Sequence, residues 1–473
     1  MSKTLIVSIS GIRGIVGDGL DPFVLVRFAG AFGLWLRQRP SRPRPLVVVG
    51  RDGRVSGRMC ESLVVAALQA VGCDVIRAGL ATTPTVEMAV LFEQADGGIV
   101  LSASHNPAEW NALKLLNDRG EFLDPDEGSA VIGLAESLEA RSVDLDSGVG
   151  LARPFVPYDR IGVATDRDYL DDHIEAVLAL PFIDASVIRE AGFRVVVDGV
   201  NSVGGVAIPR LLESLGVEVD NIHRLNCEPT GHFAHPAEPL PENLVDTIRV
   251  VGEVGADLGI VVDPDADRLA LIEDGGRYVS EELTQVIAAD FMWGKRDGPF
   301  ATNLSSSRAI DDVAAMYGQA VFRSAVGEIN VVKKMQEVGA ILGGEGNGGV
   351  IVPDLHYGRD ALAGVAIVLQ HLAETGETLS ALRSRLPSWH VAKLKAQLGD
   401  VTPEHALSAI ANRYSGERVS TIDGVKVDFE DGWVHLRKSN TEPIVRVYAE
   451  ARTPEAAQEL GGRFLDELRG VVA

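Results

Sequence analysis

Three copies of one pattern constrain this chain more than any other feature. An apolar, β-branched run leads into a loop of Gly, Ser, Asn or Asp and then a helical segment: LVVVGRDGRVSG from Leu46, RVVVDGVNSVGG from Arg194 and FATNLSSSRAI from Phe300. Each helical segment ends near a Gly before a second strand, VGCDVI at Val71, LGVEV at Leu215 and YGQAVF at Tyr317. A third apolar strand then runs into a polar loop: GGIVLSASHNP from Gly97, LGIVVDPDADR from Leu258 and GAILGGEGNGG from Gly339. Strand–helix–strand alternation with near-continuous apolar strands predicts buried, mostly parallel sheets covered by helices. Ligands gather at the carboxyl ends of strands in such sheets, so the three loops are three walls of one candidate site.

Breaks in composition predict four domains. Glu136–Pro157, rich in Ser, Asp, Gly and Pro, reads as a linker. EDGGRY from Glu273 is a turn after the Asp-rich loop and its strand, and a helix containing LSALRSRL ends before Pro387. The resulting domains are 1–154, 155–274, 275–386 and 387–473. Beyond Pro387 come a short strand, a helix from about Pro403, three strands (GVKVDF, WVHLRK, IVRVYAEA) and a last helix, with Asp431–Gly432 as a hairpin turn. This last unit reads as a small α+β domain that moves as a body about the joint at Pro387.

Composition narrows the function. The formal charge of −23 argues against general nucleic-acid binding, which needs a basic face. A local arginine cluster can still attract a small anion. No run approaches the roughly 20 apolar residues of a membrane helix, and no signal peptide is visible. Cys60, Cys73 and Cys227 are too scattered for a disulfide framework or a zinc site. A cytoplasmic protein is expected; oligomeric state is not legible.

The loops carry the chemistry. DPDADR sets Asp263, Asp265 and Asp267 at alternate positions, so that on an extended backbone the three carboxylates share one side. Three close like charges repel unless a hard cation holds them, and oxygen ligands suit magnesium or manganese. An EF-hand does not fit, since Arg268 stands where Gly is needed; a solvated acidic turn is the ordinary alternative. SASHNP places Ser104 at another strand end beside His105 and Asn106, with Lys114 on the next short element. A serine there could simply cap a helix; with a cation and a lysine nearby it could carry a phosphoryl group. No G-x-S-x-G elbow supports a serine hydrolase. GGEGNGG offers Glu345 and Asn347 between glycines, and a carboxylate can accept from two adjacent sugar hydroxyls. RKSNTEPIVR offers Arg437, Ser439, Asn440, Thr441 and Arg446, a donor set suited to phosphate, or alternatively an ordinary polar hairpin. Arg13 in SGIRG and Arg51 in GRDGR either add positive potential or are structural.

In this order, SGIRG, GRDGR, SASHNP, EPLPENL, DPDADR, GGEGNGG and SNTEP resemble the α-D-phosphohexomutase superfamily over nearly the whole chain. The resemblance implies three related α/β domains and a smaller, TATA-binding-protein-like α+β domain around a central cleft. It implies that Ser104 is a phosphoserine, with one Mg²⁺ between its phosphate and Asp263, Asp265 and Asp267. Arg268 would contact substrate or the transferring phosphate, Lys114 and His105 would support proton transfer, and Glu345 with Asn347 would grip the sugar. Arg13 and the Arg437–Arg446 loop would bind the substrate's phosphate. The implied substrate is a hexose phosphate, interconverted between its 6- and 1-phosphates through a hexose 1,6-bisphosphate. The loops mix branches: SNT is similar to phosphomannomutase/phosphoglucomutases, whereas TEP and the acidic Glu328 of VGEIN resemble phosphoglucosamine mutases. Glucosamine phosphate is therefore the expected substrate, with glucose and mannose phosphates as alternatives. Outside the family, a phosphatase using a DxD loop or a sugar-phosphate sensor would fit fewer of these loops.

Overall fold

The computed structural model describes residues 4–8, 11–39, 41–143, 155–397, 402–438 and 444–472. The chain forms two compact units, Met1–Ser280 with Gly349–Ser380, and Glu281–Gly348 with Ala381–Ala473.

The first unit contains two mixed sheets. In one, strands Asp74–Leu80, Leu46–Arg51 and Gly97–Leu101 are parallel neighbours, and Trp110–Leu116 pairs antiparallel with the last of them. Val47 and Val49 enter a core with Phe28, Phe32 and Leu68, whereas Val48 between them enters a second core with Val86, Val90 and Tyr169. Alternate side chains leave a strand on opposite faces, so with helices on both sides the strand must be apolar throughout. The other sheet has the order Ile222–Leu225, Val195–Asp198, Leu258–Val262, Leu269–Glu273, Arg277–Val279, parallel for its first three strands and antiparallel thereafter. Helix Ala361–Thr375, capped by Asp360 and buried over most of its length, packs in this unit beside Ala185–Ala191.

In the second unit, Val321–Ser324, Phe300–Asn303 and Leu342–Glu345 repeat the parallel pattern. The C-terminal segment forms an antiparallel sheet in the order His390–Gln397, Ile444–Ala451, Gly432–Lys438, Val425–Phe429, Arg418–Ser420. Helices Pro403–Arg413 and Pro454–Val472 complete the domain. Tyr414 stacks on Phe464 at 4.9 Å in its core, beside Val434, Leu436, Val445 and Val447.

Two expectations change. Helix Pro125–Val143 runs eight residues into the supposed linker, because Leu138 still packs on the helical core and Ser and Glu are tolerated on its outer face; 144–154 lie outside the described residues. The chain around Pro387 is also not a bare joint. Trp389 donates from Nε1 to Asp312 Oδ2 at 2.8 Å, and Arg452 lies 3.6 Å from the Trp389 ring centroid. Arg308 grips the following hairpin through Phe429 O and Glu430 O at 3.0 Å, Asp428 Oδ1 at 3.1 Å and Gly432 O at 3.0 Å. The break in sequence pattern marks a change of sheet. Among the described residues, no helix is long and apolar enough to cross a membrane.

Candidate active site

The first unit brings the serine and aspartate loops together. Ser104 follows strand Gly97–Leu101, and its Oγ donates to Asp263 Oδ2 at 2.7 Å. Its φ of 47° lies in the left-handed region, a conformation that costs a non-glycine residue roughly 1–2 kcal/mol. The surroundings must hold it there, and one contact is Ser104 N–H to Ser102 Oγ at 2.9 Å.

The three aspartates converge, but through a turn instead of the extended backbone expected from their spacing. Ala266 N–H donates to Asp263 O at 3.0 Å, and Ala266 has a φ of 53°. One carboxylate oxygen from each of Asp263, Asp265 and Asp267 lies within 4.8 Å of the others, and all three residues are buried. Burial, followed by the charges of Asp267 and Asp265, raises the Asp263 carboxyl well above the usual range. Burial also works against Asp267, yet Arg359, Lys114 and Arg268 hold its pKa below the ordinary value. Asp265 Oδ1 and Asp267 Oδ1 are buried and accept no hydrogen bond. Buried acceptors are normally satisfied; two such oxygens in an all-carboxylate donor set fit a hard divalent cation.

Cations surround this acidic centre. Lys114, on strand Trp110–Leu116, donates from Nζ to Asp265 Oδ2 at 2.6 Å and Asp267 Oδ2 at 3.1 Å. Burial opposes its charge, but these two carboxylates raise its pKa above normal. Arg268 Nε lies 3.9 Å from Asp263 Oδ2 and 3.8 Å from Asp267 Oδ1. Burial and the nearby Arg268 lower the pKa of Arg13. His105 has Nδ1 3.4 Å from Ser104 Oγ. Arg268, then burial, push its imidazole down to about 2, with Arg13 and Arg359 acting the same way. Guanidiniums that repel one another beside a serine hydroxyl are preorganised for an anion.

Sequence reasoning missed the supports of this centre. Arg54 is 1% exposed. Its guanidinium donates to the carbonyls of Ser104 at 2.6 Å, Asn106 at 2.8 Å, Pro107 at 2.5 Å and Trp110 at 3.0 Å, and pairs with Asp52 at 3.0 Å. Arg51, the arginine singled out from the sequence, instead meets Glu61 at 3.3 Å. Gly53 N–H donates to Ser202 Oγ at 3.0 Å, and that hydroxyl donates to Pro264 O at 2.5 Å, tying the RDGR and aspartate loops together. Arg359 donates to Asp267 Oδ2 at 2.8 Å. Next to it, Asp360 receives His173 Nε2 at 2.9 Å and faces His356 Nε2 at 3.3 Å. His356 also lies 3.2 Å from Glu87. Burial opposes the charge on His356, but Asp360 and Glu87 push its pKa up to about 10.

The second unit holds the other candidates. Glu345 ends strand Leu342–Glu345, where Oε1 accepts from Asn303 Nδ2 at 2.8 Å and Gly327 N–H at 3.3 Å. Asn347 Nδ2 reaches Glu345 Oε2 at 3.4 Å. A Cβ at the intervening Gly346 would meet the Glu282 carboxylate, which would have to move. Glu328 opens helix Glu328–Val338. In the C-terminal sheet, Lys395 stands opposite Arg446, and Arg446 opposite Arg437. Directly opposed like charges destabilise a sheet, so a row of three cations is suited to an anion. Lys395 was missed because the row exists only once strand register is known. Ser439, Asn440, Thr441 and Glu442 lie outside the described residues.

Comparison with known proteins decides the family. Four models of phosphoglucomutase/phosphomannomutase match in order: α/β/α domain I over 5–142, domain II over 171–276, domain III over 280–389 and the C-terminal domain over 391–467. The chain belongs to the phosphoglucomutase/phosphomannomutase family. It is therefore an enzyme of the phosphohexomutase kind, an isomerase, with the family's four-domain architecture. A Thermococcus kodakarensis protein named phosphoglucomutase/phosphomannomutase is 37% identical over 97% of both chains. A Methanopyrus kandleri protein named "probable phosphoglucosamine mutase" is 34% identical, covering 98% of this chain and 97% of its own. The crystal structure of a phosphoglucomutase/phosphomannomutase family protein from Burkholderia thailandensis superposes with a TM-score of 0.82 at 27% identity, covering 98% of both chains.

Proposed function

We propose that this phosphohexomutase interconverts hexose 6-phosphates and hexose 1-phosphates through phosphorylated Ser104, with glucosamine phosphate as its preferred substrate. The observation that carries the reading is the 2.7 Å contact from Ser104 Oγ to Asp263, one of three converging buried aspartates. In the forward step the Oγ–phosphorus bond of phospho-Ser104 breaks as a sugar hydroxyl forms a new bond to phosphorus, giving a hexose bisphosphate. That bisphosphate turns over and returns its other phosphoryl group to Ser104. A magnesium ion held by Asp263, Asp265 and Asp267, and by the Ser104 phosphate, would offset charge on the phosphoryl oxygens. Arg268 and Arg13 supply further positive charge at the transferring group. Lys114 and His105, the latter already 3.4 Å from the serine oxygen, would relay the proton of the attacking sugar hydroxyl to the departing Ser104 Oγ. Glu345 and Asn347 would hold sugar hydroxyls, while Arg437 and Arg446, with Ser439, Asn440 and Thr441, would bind the phosphate that is not reacting.

The preference for glucosamine phosphate rests on the carboxylates near the sugar loop. Glu328 follows Gly327, whose N–H already reaches Glu345, and an ammonium at C2 favours such acceptors. The 37% likeness to a phosphoglucomutase/phosphomannomutase supports a second reading, in which glucose or mannose phosphate is preferred. The free thiols of Cys60, Cys73 and Cys227 support a reduced, cytoplasmic location.

Phosphorus NMR of protein incubated with magnesium, glucose 1,6-bisphosphate and each hexose 1-phosphate separates these readings. Isomerisation with kcat/KM highest for glucosamine phosphate, by about tenfold, is expected. Release of inorganic phosphate without isomer overturns the mutase reading. A preference for mannose or glucose phosphate overturns only the substrate. Ser104→Ala should carry no phosphate by mass spectrometry and should not turn over.

A further inference from the structure

We infer that Asp423 is a positioning residue, one carboxylate joining the sugar-binding segment to a phosphate-binding arginine. Asp423 lies just before strand Val425–Phe429. Its Oδ2 accepts the Val326 N–H at 2.9 Å and forms an ion pair with Arg437, 2.8 Å from Nε but outside hydrogen-bond geometry. Val326 is followed by Gly327, whose φ of 119° suits glycine and whose N–H donates to Glu345 at 3.3 Å. An unbroken path thus runs from the Glu345 carboxylate through one peptide turn to Asp423 and on to the Arg437 guanidinium.

A second strut runs beside it. His435 Nε2 lies 2.6 Å from Asp423 O, and Nδ1 lies 2.9 Å from Ser305 Oγ. A carbonyl can only accept, so Nε2 carries the proton and Nδ1 accepts from the serine hydroxyl. Backbone at Asp423 is thereby fixed to the Ser305 loop, while its side chain is fixed to the Val326 turn. Lys426 adds a third tie, donating to Leu304 O at 2.9 Å.

The Arg437–Arg446–Lys395 row explains why Arg437 needs such a partner. Opposed cations push one another apart, and a flexible guanidinium would relieve that repulsion by swinging away. The Asp423 carboxylate offsets part of the charge and holds the guanidinium nearby by ion pairing. Because the same oxygen holds Val326, displacement of the arginine is transmitted to the turn against Glu345. Sugar and phosphate recognition are coupled through one side chain.

The identity of the two ligand groups rests on the proposed mutase reading; the mechanical link does not. Asp423→Ala, Asp423→Asn, Arg437→Met and Asp423→Ala/Arg437→Met proteins are compared in three measurements. Amide exchange without ligand should accelerate at Val326 and Gly327 in Asp423→Ala and stay protected in Asp423→Asn, which retains an acceptor. Unchanged exchange in Asp423→Ala overturns the link. Binding of glucose 6-phosphate, measured by calorimetry on the unphosphorylated chain, should weaken about tenfold in Asp423→Ala and less in Asp423→Asn. The double variant should lose less than the sum of the two single losses, since coupled residues are non-additive; independent, additive losses overturn the proposal. For turnover, the alanine variant should raise KM more than it lowers kcat, whereas general damage would lower kcat with folded fraction. If the unaltered protein binds glucose 6-phosphate but isomerises no hexose phosphate, the mutase reading falls and the exchange and binding results still decide the role of Asp423.

Discussion

Replacing Arg54 with methionine should loosen the Ser104 loop by about 4 kcal/mol while leaving the proposed substrate-binding residues in place. The guanidinium serves four carbonyls between Ser104 and Trp110, pairs with buried Asp52, and lies 5.0 Å from the Phe233 ring centroid. Burial pushes the Asp52 carboxyl above its usual pKa even against the pull of Arg54. The pair is therefore costly to bury, and its value lies in what the arginine holds. Removing one member of a buried pair costs about 3–5 kcal/mol. Each orphaned carbonyl adds about 1–3 kcal/mol if it stays dry. Water entering the vacated space will satisfy most of those carbonyls, which keeps the total near the lower figure. A chain of several domains does not unfold in one step, so local hydrogen exchange is the appropriate assay. The Asn106 and Trp110 amides, bonded to Ala103 O and Pro107 O at 3.1 Å, should exchange roughly 10³-fold faster, as about 4 kcal/mol requires. Turnover should fall about 10²-fold, the usual consequence of misplacing a reacting group by about 1 Å. Arg54→Lys keeps the charge but loses the planar fork and should be intermediate. Exchange within tenfold of the unaltered protein, with turnover preserved, would refute the assignment of Arg54 as the clamp that holds Ser104 in its left-handed conformation.

Other outcomes follow from the same geometry. Asp265→Asn and Asp267→Asn should each weaken magnesium binding by calorimetry at least tenfold, and chelator-treated protein should lose turnover and regain it with magnesium; a rate indifferent to chelation contradicts the three-aspartate site. The buried His356, raised from about 6.5 to about 10 by Asp360 and Glu87, stabilises the fold fully below pH 6.5. That contribution is lost as pH rises through about 10, with a ceiling near 5 kcal/mol. Thermal melts across pH 6–10 should show the decline, and His356→Gln should remove that part of it. Arg308→Met should release the Phe429–Gly432 hairpin, costing about 2–4 kcal/mol and accelerating amide exchange in Val425–Phe429; unchanged exchange there would mean the arginine contacts are incidental.

The division between what the sequence shows and what it hides follows the range of the interactions. Apolar periodicity is local, so strands such as Leu46–Arg51 and Leu258–Val262, and the loops at their ends, are visible in single windows of sequence. Ser104, the three aspartates and Glu345 are visible for the same reason, since each lies at or just beyond a strand end. Even there, the convergence of the aspartates depends on a turn through Ala266 that residue spacing does not reveal. Arg51 ends its strand and Arg54 lies three residues beyond, two arginines of one short RDGR run. What separates them is that the carbonyl partners of Arg54 lie 50–56 residues away in the chain. Lys395 differs from any surface lysine only because register places it opposite Arg446. Asp423 reads as an ordinary turn residue before Gly424 until folding brings it to Val326, 97 positions away. The residues proposed to perform the chemistry are visible in local pattern, because the fold repeatedly presents them at strand ends. Residues that hold them in place are defined by partners from other strands and loops. They are the natural targets for variants that alter rate or substrate preference while leaving every substrate contact in place.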